Sequence, residues 1–152
     1  MCPLVPSALA AAPLALLAAS IALSGCTRPA EAASSERAAV VATVELYFQG
    51  HATGDGAYFR RAFHPDTRLF WVKDGKLATW TRDEFAARFA GAPAPDEARR
   101  KRRILSIDIT GDAAVAKVEL DYPDAIFIDY LSLLKIEGSW LVINKIFHRE
   151  DR

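Results

Sequence analysis

The second half of the chain contains four extended segments joined by very short turns, and this pattern restricts the fold more than any other feature of the sequence. Each segment is rich in β-branched and other apolar residues, and Gly, Pro or Asp stands at every junction. The four segments span residues 104–110, 113–122, 125–136 and 139–148. A turn of two residues can join only antiparallel strands, because a parallel pair needs a long crossover. The sequence therefore predicts a four-stranded antiparallel meander.

The first half of the chain predicts three helices. Apolar residues recur at spacings of three, four and seven over residues 36–50, which indicates the first helix. Asp55 is a suitable N-cap for a short second helix, and Pro65 prevents that helix from continuing. Thr81 followed by Glu84 is the capping-box pattern of a third helix.

A hairpin is predicted between the second and third helices. Residues 69–73 and 76–80 are strand-like, and they flank the turn pair Asp74-Gly75. The order is then helix, helix, hairpin, helix and meander. This order predicts an α+β domain in which three N-terminal helices pack on one side of a curved, mostly antiparallel sheet.

The N-terminal segment differs from the rest, because no charged side chain precedes Arg28 although 25% of all residues are charged. The motif Leu23-Ser24-Gly25-Cys26 resembles the lipobox of bacterial lipoproteins, in which the cysteine is acylated and becomes the first residue. The resemblance implies a lipoprotein signal peptide at residues 1–25 and lipidation at Cys26. Residues 26–35 are rich in small and polar residues and predict a flexible tether, which leaves residues 36–152 as a single domain.

Two other interpretations of the leader stay open, a signal peptide without lipidation and an uncleaved membrane anchor. Three prolines interrupt the run of about 20 apolar residues that a spanning helix needs. If the chain is a lipoprotein, it is located in the cell envelope. Thr27 rather than Asp follows the cysteine, which implies the outer membrane facing the periplasm in a Gram-negative host.

The charge balance argues against one class of partner. The 19 Lys and Arg residues are matched by 19 Asp and Glu residues. Nucleic-acid binding needs an excess of basic side chains on one face. We therefore expect no nucleic acid partner.

Several residues, taken in their order along the chain, resemble the nuclear transport factor 2-like superfamily and, within it, the branch called "putative lumazine-binding". They are Tyr47 with Gly50, Gly54-Asp55, His64-Pro65, Asp74-Gly75, Asp129-Tyr130, and Gly138, Trp140 and Asn144-Lys145. The resemblance covers about residues 38–149 and implies a cone, in which helices close one side of a bent sheet around an apolar pocket. Dimerisation through the outer sheet face is common in the superfamily. Because this fold hosts isomerases, dehydratases, cyclases, ligand binders and interaction modules, the resemblance specifies no function.

Asp129 is the carboxylate with the most apolar neighbours in the sequence, and a carboxylate in an apolar cavity can act as an acid or base near neutral pH. Strand alternation places Asp129 on the same face as Lys135, which favours solvent, and Tyr130 on the opposite face. We therefore expect Tyr130 in the pocket, unless a bulge changes the register. Asp129 is a candidate catalytic residue, with a structural ion pair or a dimer contact as the alternatives.

The other candidates are polar or aromatic side chains. His64 follows the second helix, where it either caps the helix or transfers protons near neutral pH. Strict alternation places Asn144 and His148 on the same face of the last strand as Trp140, which predicts two polar groups in the pocket. The aromatic residues expected to bind the ligand are Tyr47, Tyr58, Trp71 and Tyr130.

The sequence contains no pattern for a metal site, a phosphate loop or a nucleophilic triad, and we expect no cofactor. We predict a lipid-anchored envelope protein that binds a small apolar or aromatic molecule in a cone-shaped pocket and forms a homodimer through its sheet. Two alternatives stay open. One is a cofactor-free isomerase, dehydratase or cyclase that works by proton transfer, and the other is a protein-interaction module.

Overall fold

One six-stranded sheet organises residues 29–152, the part of the chain that the computed structural model describes. The strands are β1 (Phe63–Lys73), β2 (Lys76–Thr81), β3 (Lys101–Thr110), β4 (Ala113–Asp121), β5 (Ala125–Ile136) and β6 (Ser139–Asp151). Their order across the sheet is β2-β1-β6-β5-β4-β3. The predicted meander is confirmed as β3 to β6, and the predicted hairpin as β1 and β2. Parallel pairing of β1 with β6 joins the hairpin to the meander.

Three helices cover one face of the sheet, which we call the inner face. They are α1 (Pro29–Thr53), α2 (Gly56–Ala62) and α3 (Arg82–Ala86). The Asp55 side chain caps α2 by accepting a hydrogen bond from the backbone N–H of Ala57. α3 begins with the predicted capping box between Thr81 and Glu84. The predicted fold class is thus confirmed.

The first helix begins at Pro29, seven residues before the predicted start at Glu36. Residues 30–35 are exposed, so they form no apolar stripe that periodicity could detect. Their alanine content and the proline in the first turn nevertheless favour a helix. Residues 29–35, which the sequence placed in a flexible tether, are therefore helical. The predicted signal peptide at residues 1–25 and the predicted lipidation site Cys26 lie outside the described residues.

The hydrophobic core lies between α1 and the inner face. Val40, Val44 and Tyr47 of α1 are fully buried. They pack against the small and branched residues of the central strands, Ala116, Val118, Leu131, Leu133 and Val142. No helix within residues 29–152 is both long and apolar enough to cross a membrane.

One irregularity in the pairing of β5 with β6 decides where the polar side chains of β6 point. Ser132 pairs with Asn144, but Leu133 pairs with Val142, so Ile143 is an extra residue in β6. Such a bulge reverses the alternation of side chains along its strand. Strict alternation would put residues 140 and 142 on the opposite face from residues 145 and 147. Because of the bulge, all four lie on the same face.

As a consequence, the predicted arrangement of the last strand was wrong beyond residue 143. The side chains of β6 on the inner face are Trp140, Val142, Lys145 and Phe147, and those on the outer face include Asn144, Ile146 and His148. The bulge thus brings a lysine inward and moves the two expected polar groups outward.

The face assignment of β5 was also wrong, although this strand pairs regularly with β4. Asp129 is fully buried on the inner face, and Tyr130 is 39% exposed on the outer face. Lys135 does lie on the same face as Asp129, but its charge is not turned to solvent. Glu36 of α1 pairs with it across 2.6 Å between Oε1 and Nζ. An ion pair with a helix therefore partly covers this charge.

Candidate functional site

A cavity of about 510 Å³ lies on the inner face of the sheet. Its walls come from β1, β2, β4, β5 and β6, from α1 and α3, and from the turn after β4. We call it the aromatic cup, after the six Trp, Tyr and Phe side chains that line it: Trp71, Trp80, Phe85, Tyr122, Phe127 and Phe147. A cavity of this volume with apolar walls suits a small organic molecule.

The rings form a preassembled surface. The Trp71 and Trp80 ring centroids are 4.1 Å apart, and Trp71 stacks on Phe147 at 5.6 Å. The guanidinium of Arg88 lies 4.4 Å from the Trp80 ring centroid. Such contacts hold the rings in fixed orientations, and each aromatic pair is worth about 0.5–1.5 kcal/mol beyond the area that it buries. The cup therefore presents flat apolar faces without first having to reorganise.

A buried polar triad forms the floor of the cup. The Nζ of Lys145 donates a hydrogen bond to the Tyr47 hydroxyl at 2.6 Å and lies 2.9 Å from Oδ2 of Asp129. The Tyr47 hydroxyl donates a short hydrogen bond to the same Oδ2. Lys145 and Asp129 are 3% and 0% exposed. Of the three side chains, only Lys145 lines the cup, so Tyr47 and Asp129 lie behind it.

Aromatic rings also surround the ammonium of Lys145. Its Nζ lies 4.8 Å from the ring centroid of Phe147, 5.3 Å from that of Phe85 and 4.9 Å from that of Tyr47. Burial lowers the pKa of Lys145 below its ordinary value of 10.5, and the Asp129 carboxylate opposes that shift. Burial also raises the pKa of Tyr47 well above 10, and the neighbouring carboxylate raises it further. Tyr47 therefore stays protonated as a hydrogen-bond donor.

His51 of α1 also lines the cup. Its ring makes edge contacts with Tyr47 at 4.7 Å and with Phe59 at 5.1 Å between centroids. Its buried Nε2 has no hydrogen-bond partner among residues 29–152. Burial lowers the pKa of His51 well below 6.5, and the charge of Lys145 adds to that shift. The imidazole is therefore neutral at physiological pH.

The rim of the cup carries charges of both signs. Exposed side chains at the rim are Lys73, Asp74, Arg88, Arg149 and Asp151. Arg149 pairs with Asp151 at 2.7 Å. The rim therefore does not carry charge of a single sign.

The match to a known protein family covers both the helices and the sheet. The family described as "Putative lumazine-binding" matches residues 35–148, which include every ring and polar group of the cup described above except the rim residues Arg149 and Asp151. The chain belongs to this family.

Solved structures similar to this lumazine-binding family member share its fold. A nuclear transport factor 2-like protein of unknown function from Shewanella baltica OS155 is 31% identical, with a TM-score of 0.70, and the match covers 77% of this chain and 95% of that one. A second, from Silicibacter pomeroyi DSS-3, is 30% identical with a TM-score of 0.69, covering 78% and 98%. The nuclear transport factor 2-like cone expected from the sequence is thereby confirmed.

One curated protein shows a similarity in sequence. The chain is 26% identical over 119 residues to aldolase FrzH of a Cladobotryum species, covering 78% of this chain and 95% of that protein. The family name and this relative therefore refer to different activities, ligand binding and carbon–carbon bond chemistry.

Three of the residues predicted for the site of this family member lie in or directly behind the cup. Trp71 is part of its wall. Tyr47 and Asp129 lie behind its floor, where both contact Nζ of Lys145. The ion-pair alternative considered for Asp129 is thus the arrangement observed in the structure.

The other predicted residues lie away from the cup. Tyr130 and His148 border a groove of about 330 Å³ on the outer face, and Asn144 also belongs to that face. His64 lies at the start of β1, where its Nδ1 accepts a hydrogen bond from the backbone N–H of Asp66 at 3.2 Å. Tyr58 of α2 lies beneath the guanidinium of Arg61, 5.7 Å from it. The described residues contain no group of three His, Cys, Asp or Glu side chains that could hold a metal ion.

The sequence interpretation missed Lys145, the central polar group of the cup. A signal was available, because Trp140, Val142 and Phe147 are apolar at spacings of two and five, and an odd spacing within one strand implies an extra residue. Allowing for that bulge places Lys145 on the same face as these three residues.

Proposed function

We propose that the aromatic cup binds a small molecule with a flat aromatic or conjugated body and a carbonyl group that meets Lys145. The observation that supports this most strongly is a single buried ammonium at the floor of a cup of six rings. The rings match a flat apolar body, and the ammonium matches one hydrogen-bond acceptor on it.

The hydrogen-bond inventory of Lys145 supports an acceptor on the ligand. An ammonium has three N–H donors. Within the described part of the chain, Lys145 has two partners, the Tyr47 hydroxyl and Oδ2 of Asp129. The third donor is available to a ligand, and a hydrogen bond to a charged group contributes about 1.5–3 kcal/mol.

Calorimetric titration of the full chain tests this proposal with two matched probes, 2-naphthaldehyde and 2-methylnaphthalene. We expect saturable binding of one molecule per chain, with the aldehyde bound at least about tenfold more tightly, because only the aldehyde can accept a hydrogen bond from Lys145. Failure of both probes to bind at any concentration up to their solubility would contradict the proposal.

Two adjacent residues of β6 provide a matched pair of variants. Phe147 lies in the cup and Ile146 on the outer face. We expect Phe147→Ala to weaken binding of 2-naphthaldehyde about tenfold, since a stacking surface is lost, whereas Ile146→Ala leaves the affinity unchanged. Equal effects of the two variants would place the ligand elsewhere.

A second candidate function is catalysis on a carbonyl compound. It is favoured by the similarity to an aldolase and by the Lys145, Asp129 and Tyr47 triad. A buried lysine beside a carboxylate is a recurrent arrangement for chemistry on carbonyl groups. The isomerase, dehydratase and cyclase alternatives require a free acid or base in the cup, and His51 is the group there that could serve as one.

We also propose that Cys26 carries a lipid that holds the domain at the cell envelope. The support is the motif Leu23-Ser24-Gly25-Cys26 and its position after an uncharged leader. Two or more acyl chains hold a protein stably at a membrane, whereas one does so only marginally. Cys26→Ser should abolish incorporation of labelled palmitate, and retention of the label would refute the proposal.

The homodimer proposal rests on the outer face of the sheet. Val72 and Leu77 are 73% and 75% exposed, and Ile146 lies beside them in the outer groove. Exposed apolar surface of this kind favours association. We expect native mass spectrometry in detergent to show a dimer that Val72→Asp with Leu77→Asp dissociates, and a monomeric wild type would contradict this.

A further inference from the structure

Resting on the proposed function, we propose that Lys145 is a nucleophile, whose Nζ forms an imine with the aldehyde or ketone group of a molecule bound in the cup. The inference names the substrate class as aromatic or conjugated carbonyl compounds. It also assigns Tyr47 and Asp129 the role of positioning residues.

The geometry places the buried amine at the wall of the cup. Lys145 lines the cup, and the rings of Phe85 and Phe147 flank its Nζ. Tyr47 and Asp129 contact the same nitrogen and do not line the cup. A molecule bound in the cup therefore has its carbonyl carbon within reach of the nitrogen.

The environment of Lys145 also suits a nucleophile, because a lysine amine reacts only as the neutral form. Removal of water from an ammonium in an apolar pocket favours that form. Burial has this effect on Lys145, whose pKa is lowered. Asp129, with its Oδ2 at 2.9 Å, is placed to take the proton that the ammonium must release.

The proposed step balances without an oxidant or a cofactor. Lys145 transfers one proton to Asp129, and the nitrogen lone pair forms a C–N bond to the carbonyl carbon as the C–O π bond breaks. The oxygen receives that proton and then a second one from the nitrogen, and it leaves as water. Both hydrogen atoms of this water come from the ammonium, and the iminium that remains keeps one positive charge.

This conservation of charge explains why a buried carboxylate suits the site. Asp129 faces a cation before the reaction, as ammonium, and after it, as iminium. An unpaired buried charge is strongly unfavourable, so a step that removed the cation would leave Asp129 destabilised. The Tyr47 hydroxyl contacts both groups and can pass a proton between them.

Reductive trapping on the full chain tests the inference. The chain is incubated with 2-naphthaldehyde and sodium cyanoborohydride, which reduces an iminium to a stable secondary amine, and the modified peptide is identified by mass spectrometry. We expect one adduct per chain at Lys145, formed at least about tenfold faster than at exposed lysines, because the cup holds the bound aldehyde next to this nitrogen. Modification confined to other lysines would overturn the inference.

Lys117 provides the matched control, since it also lies on the sheet beside a ring, 5.4 Å from that of Tyr130, but on the outer face. Lys145→Arg should abolish the fast adduct, and Lys117→Arg should leave its rate unchanged. If Lys145→Arg does not fold, the combination Lys145→Met with Asp129→Asn replaces it, because both charges are then removed together. Loss of the fast adduct in Lys117→Arg alone would overturn the inference.

The trapping experiment and the binding titration together distinguish failure of the imine inference from failure of the proposed function. If 2-naphthaldehyde binds in the titration but no adduct forms at Lys145, the imine inference fails and the binding proposal stands. If the probe does not bind at all, both fail.

Discussion

Among residues 29–152, the ammonium of Lys145 has two polar partners, Asp129 and Tyr47. It is buried among aromatic rings. A buried ion pair of this kind adds little net stability compared with apolar packing, although loss of one partner is costly. The triad therefore fits a functional role better than a purely structural one.

The coupling between Lys145 and Asp129 leads to a stability prediction. Asp129→Asn should lower the free energy of unfolding by about 3–5 kcal/mol, because it leaves the Lys145 charge buried without a counter-ion. Adding Lys145→Met should restore a large part of that loss. Urea unfolding of the wild type, both single variants and the double variant measures this, and additive losses would contradict it.

His51 leads to a prediction about pH. Folding lowers the pKa of His51 well below 6.5, first through burial and then through the charges of Lys145, Arg102 and Arg100. Below pH 6.5 the unfolded chain therefore binds a proton that the folded chain does not. The free energy of unfolding should fall on acidification by up to about 1.4 kcal/mol per pH unit.

The measurement for this prediction is urea unfolding between pH 6.5 and 5.5, above the range in which carboxylates protonate. His51→Gln should show a smaller slope with pH than the wild type, whatever its absolute stability. Identical slopes would show that His51 titrates normally in the folded chain.

At the scale of elements, the sequence did not predict which side chains of β5 and β6 point to the inner face of the sheet. Alternation within β5 was interpreted through Lys135, and the charge of that residue is satisfied by Glu36 of a helix distant in sequence. Alternation within β6 was interrupted by Ile143, an extra residue that has no unusual chemistry. The charge partner of Lys135 lies across the fold, so local pattern alone assigned Asp129 to the wrong face.

The contact of α1 with α2 leads to a prediction at the same scale. A Cβ added at Gly50 would lie 2.6 Å from the Phe59 ring, and this ring also contacts His51 in the cup wall. Gly50→Ala should therefore destabilise the fold by about 1–3 kcal/mol through overpacking. Thermal or urea unfolding measures the effect, with Gln49→Ala as the control, because Gln49 is exposed on the same helix. A stability equal to that of the control would show that the two helices are not so closely packed.

At the scale of the whole molecule, the turns predicted the fold more reliably than the strands themselves did. The strand limits at β4 and β5 follow from Gly111, Pro123 and Gly138, residues that local chemistry favours in turns. The parallel pairing of β1 with β6 has no local signal, because it joins segments more than 70 residues apart. This pairing brings Trp71 beside Phe147 and so completes the cup, which explains why the cup could not be assembled from the sequence.

The two faces of the sheet carry two surfaces that share Trp71, Val72 and Phe147. The inner face holds the cup with its buried lysine, and the outer face holds the apolar groove, where Leu77 and Ile146 do not line the cup. We therefore expect ligand binding to be independent of the groove residues that do not line the cup. Leu77→Asp with Ile146→Asp should dissociate a dimer and leave the affinity for 2-naphthaldehyde unchanged, as titration calorimetry would show, and a parallel loss of affinity would contradict this.

The three tryptophans provide the most direct measurement of where a ligand binds. Trp71 and Trp80 lie in the cup, whereas the indole of Trp140 is held by Glu36 at 2.8 Å outside it. In a heteronuclear NMR titration with 2-naphthaldehyde, we predict that the indole N–H signals of Trp71 and Trp80 shift with saturation and that of Trp140 stays in place. Unchanged Trp71 and Trp80 signals at saturating probe would contradict the assignment of the cup as the binding site.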